Sequence, residues 1–167
     1  YSAIKFAEQL AEIGVHKQIA NRLIENFSYV QTILSGTDFD NFFELRCKPD
    51  AQPEIHRLAD CMRKARWESV PTIRKEGEWH LPFIHKDEVE GVHYSILAAI
   101  SAARCARVSY VRQNEKRELK EEVEFTKRLV ESGHFSPLEH QALNMETRER
   151  YANFQCWKQF RHFCEKN

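Results

Sequence analysis

No stretch of this 167-residue chain approaches 18 consecutive apolar residues, and no charged-then-apolar segment opens it. A membrane-spanning helix and a secretory signal are therefore not expected, and a cytoplasmic location is the default. An excess of either charge is also missing: 25 basic and 25 acidic side chains give a net charge of zero. A broad nucleic-acid-binding face would need a basic surplus. A small anionic ligand needs only a few arginines, so it stays open. The five cysteines, Cys47, Cys61, Cys105, Cys156 and Cys164, are odd in number and contain no C-x-x-C pair. This argues against a disulfide framework and for reduced, mostly buried thiols. Internal repeats, low-complexity tracts and Gly-rich phosphate loops are absent, as is any nucleophile–base pair or carboxylate pair at convincing spacing.

What is present is apolar bulk. Hydrophobic residues make up 42% of the chain, charged residues 30%, and there are eleven Phe and three Trp. That is enough to build one domain with a true core, and two full domains are not expected at this length. The chain opens on Tyr1, and "YSAIKFAEQL" reads as the middle of a helix, so the expectation is a piece of something longer.

Helical periodicity dominates. Ala3, Ile4, Ala7, Leu10 and Ala11 share one face, with Gly14 placed to end that helix. Val15, Ile19 and Leu23 predict a second. The β-branched and aromatic "FSYVQTIL" (27 to 34) predicts a strand. Asp38 is placed to cap a short helix, "DFDNFFELR", with Phe39, Phe42 and Phe43 inward. Pro53 suits the first turn of a longer helix through Ile55, Leu58, Ala59, Met62 and Ala65. Residues 69 to 94 hold no sustained period and predict a long connection with a short strand near Trp79. "SILAAISAARCARVSY" (95 to 110) predicts a small-residue helix through Ile96, Ala99, Ile100 and Ala103. "NEKRELKEEVEFTKRLVES" predicts a charged one with Leu119, Val123 and Val130 inward, ended by Gly133. "NFQCWKQFRHFCEKN" predicts a last helix through Phe154, Trp157, Phe160 and Cys164. The expected class is α/β (α+β): a single domain, mainly helical, with a small sheet.

The stretch "SGHFSPLEH" (132 to 140) admits three readings. Ser136 as N-cap, Pro137 in the first turn and Glu139 as reciprocal acceptor would form a capping box. Such a helix start would also offer backbone N–H groups to a phosphate or a ring's polar edge. A metal reading would take His134, Glu139 and His140, but the spacing is not H-E-x-x-H, and adjacent residues on a helix diverge. Elsewhere Arg22, Arg46, Arg161 and His162 read, on spacing alone, as surface charges or as cations against aromatic rings.

Together, "GVHKQIANRLIENF", "SGTDFDNFFELR", "AQPEI", "GEWHLPF", "ARCARVSY" and "SGHFSPLEH" resemble consecutive blocks of the flavin-dependent thymidylate synthases, in the permuted order of the phage-type variant. The resemblance runs from about Leu10 to Arg161. It implies reductive methylation of dUMP to dTMP, with methylenetetrahydrofolate supplying the carbon and FAD, reduced by NADPH, supplying the hydride. It also implies a homotetramer whose active sites form between subunits, and no attacking enzyme cysteine. Carried over residue by residue, it assigns Arg46 to the uracil ring as substrate-binding and catalytic residue. Asn41, Ser109, His134, Ser136 and Glu139 fall to the flavin, and Arg22, one position away from the family's arginine, to the substrate phosphate. The family's Arg-His-Arg signature, followed by Ser, is met in part: Arg161 and His162 fit, also on the cofactor side, while Phe163 stands where the second Arg would be. The chain alone is therefore expected to bind flavin weakly or not at all, and to gain activity only with a signature segment. A non-catalytic interaction or scaffold domain is the rival expectation, and a metal-dependent hydrolase the third.

Overall fold

The computed structural model describes residues 2 to 109 and 118 to 165. Helices predominate and a small antiparallel sheet accompanies them, the expected coarse class. Two compact units are distinguished, Tyr1–Thr32 and Ile33–Asn167.

In the first unit, α1 (Ser2–Glu12) follows the predicted period and buries Ala7. Gly14, at φ 83°, ends it in a conformation that side chains rarely adopt. The predicted second helix is shorter than its period suggested. It comprises α2 (Lys17–Ala20) and two 3₁₀ turns, Asn21–Leu23 and Glu25–Phe27. The expected strand at 27 to 34 does not form. Phe27 closes a 3₁₀ turn and residues 28 to 36 have no regular structure, with Tyr29, Val30 and Leu34 largely exposed. β-Propensity expresses packing on a pleated surface, and without a partner strand it has nothing to act on.

In the second unit, residues 35 to 38 are strapped onto a hairpin made of β3 (Arg150–Tyr151) and β4 (Phe154–Gln155). The Thr37 amide donates to the Asn153 carbonyl at 3.1 Å, and the Gln155 amide donates to Thr37 Oγ1 at 2.8 Å. A Cβ on Gly36 would lie 3.3 Å from the Asn153 carbonyl oxygen, so glycine suits this approach. The strap leads into α3 (Asp40–Arg46), whose N-cap is Phe39 without a side-chain bond. Asp38 does not cap it; its carboxylate lies 3.6 Å from Arg150 instead. Phe39, Phe42 and Phe43 are half-buried. Arg66 of α4 (Pro53–Glu68) lies over the rings of Phe39 and Phe43.

The core lies around α5 (Tyr94–Ala106). Ala98 and Ala102, one turn apart, meet Leu138 and Phe160, with Trp79, Leu81, Val130, Phe135 and Cys164 packed around them. Small residues let the backbone of α5 approach its neighbours on more than one side. Its buried set is therefore broad (Leu97, Ala98, Ile100 to Ala103, Cys105), and Ile96, expected inward, is exposed. Helix α6 (Leu119–Glu131) packs against α5, and Thr126 Oγ1 donates to the Ala99 carbonyl at 2.6 Å. Its most buried residues are Glu122 and Thr126, whereas Leu119 is exposed. Tyr110 and residues 114 to 117 of the predicted helices lie outside the described residues.

The expected C-terminal helix is corrected most. Strand β5 (Trp157–Gln159) pairs with β2 (Ala142–Asn144), which pairs with β1 (Trp79–His80), and only α7 (Arg161–Cys164) is helical. Cys156 sits at φ 66°, which no continuous α-helix can pass through. No described helix is long and apolar enough to cross a membrane.

Candidate functional site: a cleft at the end of α6

Helix α6 stops at Gly133 (φ 75°), where the Gly133 amide donates to Val130 and the His134 amide to Leu129 at 2.8 Å. This reversal sends residues 134 to 137 across the helix end. They line an open cleft of about 490 Å³ with Ala106, Phe125, Leu129 and Arg161. The volume is within the range of small-molecule sites, roughly 300–1,000 Å³. Phe125, Leu129 and Phe135 supply its apolar surface. His134, Ser136 and Arg161 supply its polar edge.

The "SPLE" stretch is not a capped helix. Ser136–Glu139 form a 3₁₀ turn with Phe135 at the N-cap and no side-chain cap bond. The Glu139 carboxylate is taken by Arg161 instead of reaching back to an amide, which explains why the capping box fails. A turn this short presents no helix-terminal anion site of the kind the capped reading offered.

Arg161 is the most heavily engaged polar group of the cleft. Its Nη1 bonds Glu139, its Nε bonds Glu165 at 2.5 Å, and its guanidinium lies 5.6 Å from the centre of the Phe135 ring. Glu165, then Glu139, raise its pKa above the ordinary value, so it stays a cation. Gln159, almost fully buried, donates from Nε2 to the Glu139 carbonyl at 2.8 Å and holds that end of the turn. His134 Nδ1 lies 2.9 Å from Ser132 Oγ, so one ring nitrogen is engaged by the α6 terminus, and among the described residues Nε2 has no hydrogen-bond partner. His162 leans on Tyr151, with ring centres 5.6 Å apart, and its Nδ1 is 4.0 Å from Glu165.

The structure thus brings four of the expected cofactor-side residues together: His134, Ser136 and Arg161 on the cleft, and Glu139 bonded to Arg161. His162 is next to them in the chain. Ser109 is exposed, three residues beyond the cleft-lining Ala106. Asn41 and Arg46 are exposed on α3 and do not line the cleft. Among the described residues, the exposed Arg46 side chain makes no hydrogen bond or ion pair. Arg22 belongs to the first unit and is exposed on its 3₁₀ turn.

The metal trio does not converge. His134 faces Ser132, Glu139 faces Arg161, and His140 Nδ1 lies 3.1 Å from Ser35 Oγ. Among the described residues no group of three or more His, Cys, Asp or Glu is placed to hold an ion. The cleft also has no thiol lining it. The buried Cys105 is pushed up to about 12 by burial, which keeps it protonated.

Sequence reasoning missed the cleft's walls and the carboxylate that holds its Arg161. Phe125 and Leu129 are i,i+4 on α6, and Glu165 is i,i+4 to Arg161, spacings that mark neighbours on a helix. Compared with protein-family models, curated proteins and solved structures, the chain matches none.

Proposed function

We propose that this chain is a protomer of a flavin-dependent thymidylate synthase fold and site, acting in the reductive methylation of dUMP to dTMP. The observation that carries the reading is that His134, Ser136 and Arg161, singled out by resemblance as flavin-side residues, line one cleft, with Glu139 bonded to Arg161. Apolar walls with a few polar groups at one edge suit a planar heteroaromatic ring. The donor set fits FAD: Phe125, Leu129 and Phe135 would hold its ring, and His134 and Ser136 would meet its polar groups. When bound, it supplies the hydride that NADPH provides. The protein's own residues orient and polarise. Arg46 is a fixed cation for the uracil ring, favouring loss of the N3 proton and thereby activating C5, the carbon that receives the methylene group of the folate. Arg46 and Asn41 are exposed on α3, which suits a site completed by another subunit of a tetramer.

Methylation at C5 displaces the hydrogen there, so release of tritium from [5-³H]dUMP reports the reaction. With FAD, NADPH, methylenetetrahydrofolate and a polypeptide carrying the Arg-His-Arg-Ser signature, release is expected, and it should stop when FAD is omitted. Release independent of FAD, or its absence in an assembly that binds both FAD and dUMP, would refute the proposal.

A further inference from the structure

The charge around Arg161 is overcompensated. One guanidinium meets two carboxylates, Glu139 and Glu165, and among the described residues the other ionisable side chain within 4.0 Å of Glu165 is His162. Glu139 is anchored through its backbone by the buried Gln159. Glu165, the C-cap of α7 and four residues beyond Arg161, takes its Nε. The neighbouring 3₁₀ turn of Ser136–Glu139 is too short to offset this with a helix dipole. An anion approaching Arg161 therefore meets two negative groups already seated on the cation. An uncharged ring meets aromatic walls and hydrogen-bonding groups.

We propose that this cleft receives the uncharged ring of its ligand and turns away its phosphate groups, with Glu165 as the residue that sets this specificity. The inference rests on the flavin-side reading of the cleft. It adds that the phosphates of FAD and dUMP must be met elsewhere, and that Arg161 positions the cleft's edge rather than binding an anion.

The test uses inorganic pyrophosphate as the probe and does not depend on flavin. Pyrophosphate binding to the full chain is measured by calorimetry and by thermal unfolding, against sodium chloride at equal ionic strength. The wild type is expected to show no binding that depends on Arg161. Glu165→Gln should bind pyrophosphate about three- to fivefold more tightly than the wild type, the scale of one partly exposed ion pair. Glu165→Ala should do the same, and the gain should vanish in Glu165→Gln/Arg161→Gln. Wild-type binding that Arg161→Gln abolishes would overturn the proposal, as would a Glu165→Gln variant no different from the wild type. A parallel titration with riboflavin, which has the ring and no phosphate, separates this inference from the reading beneath it. Failure of riboflavin to bind even with dUMP and the signature segment present would count against the flavin reading, whereas the pyrophosphate result bears on the charge inference alone.

Discussion

Replacing Arg104 by glutamine should be the most damaging single change to the charged interior of the second unit. Arg104 donates from Nη1 to the Phe83 carbonyl at 2.6 Å and to Glu88 at 2.7 Å, and from Nη2 to Glu88 at 2.5 Å and Glu122 at 3.1 Å. Its Nε reaches Glu122 at 3.2 Å. Glu122 is 5% exposed, and the side chains of Arg104 and Glu88 are 21% and 22% exposed. The contacts tie the loop before α5 to both α5 and α6. They also hold Phe83 at φ 62°, a strained conformation for a bulky residue. Removing one partner of a buried pair costs about 3–5 kcal/mol because the other charge is left behind. Arg107, 3.8 Å from Glu122, keeps the cost near the lower end, about 3 kcal/mol.

The same contact fixes a pH signature. Hydrogen bonding to Arg104 holds Glu88 down to about 2, from an ordinary value of 4.5. A depressed carboxylate contributes stability that is complete above its unfolded value and is lost as pH falls toward the folded one. The wild type should therefore lose about 2 kcal/mol from this group between neutral pH and pH 3, while Arg104→Gln should lose almost none of it. Urea unfolding followed by far-UV circular dichroism at the two pH values measures both effects. A difference below about 1 kcal/mol at neutral pH, or one that stays constant at pH 3, would refute the reasoning.

Leu138→Ala removes a fully buried side chain from the cluster of Ala98, Ala102 and Phe160, and should cost about 2–5 kcal/mol in the same unfolding assay. A cost under about 1 kcal/mol would mean the 3₁₀ turn is not part of the core. Thiol labelling of the native protein should proceed at the exposed Cys61 and spare Cys105, which should react only after unfolding. Arg46→Gln should change stability by less than about 0.5 kcal/mol, since Arg46 is exposed, yet it should abolish tritium release from dUMP. Loss of folding in that variant would show that Arg46 serves structure instead.

The helices α1, α4, α5 and α6 were legible because each carries a local signal: a 3.6-residue period, Pro53 at a helix start, or Gly14 and Gly133 where positive φ is needed. What stayed hidden depends on distant partners. Phe154, Trp157 and Phe160 recur at helical spacing, but the chain turns at Cys156 and pairs with β2, which no local pattern announces. The buried face of α5 was misread because small residues are packed on more than one side, which blurs the single stripe that periodicity seeks. In the cleft, His134, Ser136 and Arg161 had been singled out through resemblance. Glu139 was found too, with the wrong partner: a capping box is a local expectation, and Arg161 lies 22 residues away. Phe125 and Leu129 became visible as walls only once the α6 reversal shaped the cleft, and Glu165 only through its bond to Arg161.

The measurement closest to the central claim is a titration of FAD fluorescence with the full chain, with and without dUMP and the signature segment, alongside circular dichroism. The account predicts weak quenching by the chain alone that tightens when dUMP and the segment are added, and that His134→Ala weakens. FAD fluorescence that stays unchanged under every one of these conditions, in a protein that remains folded, would contradict it.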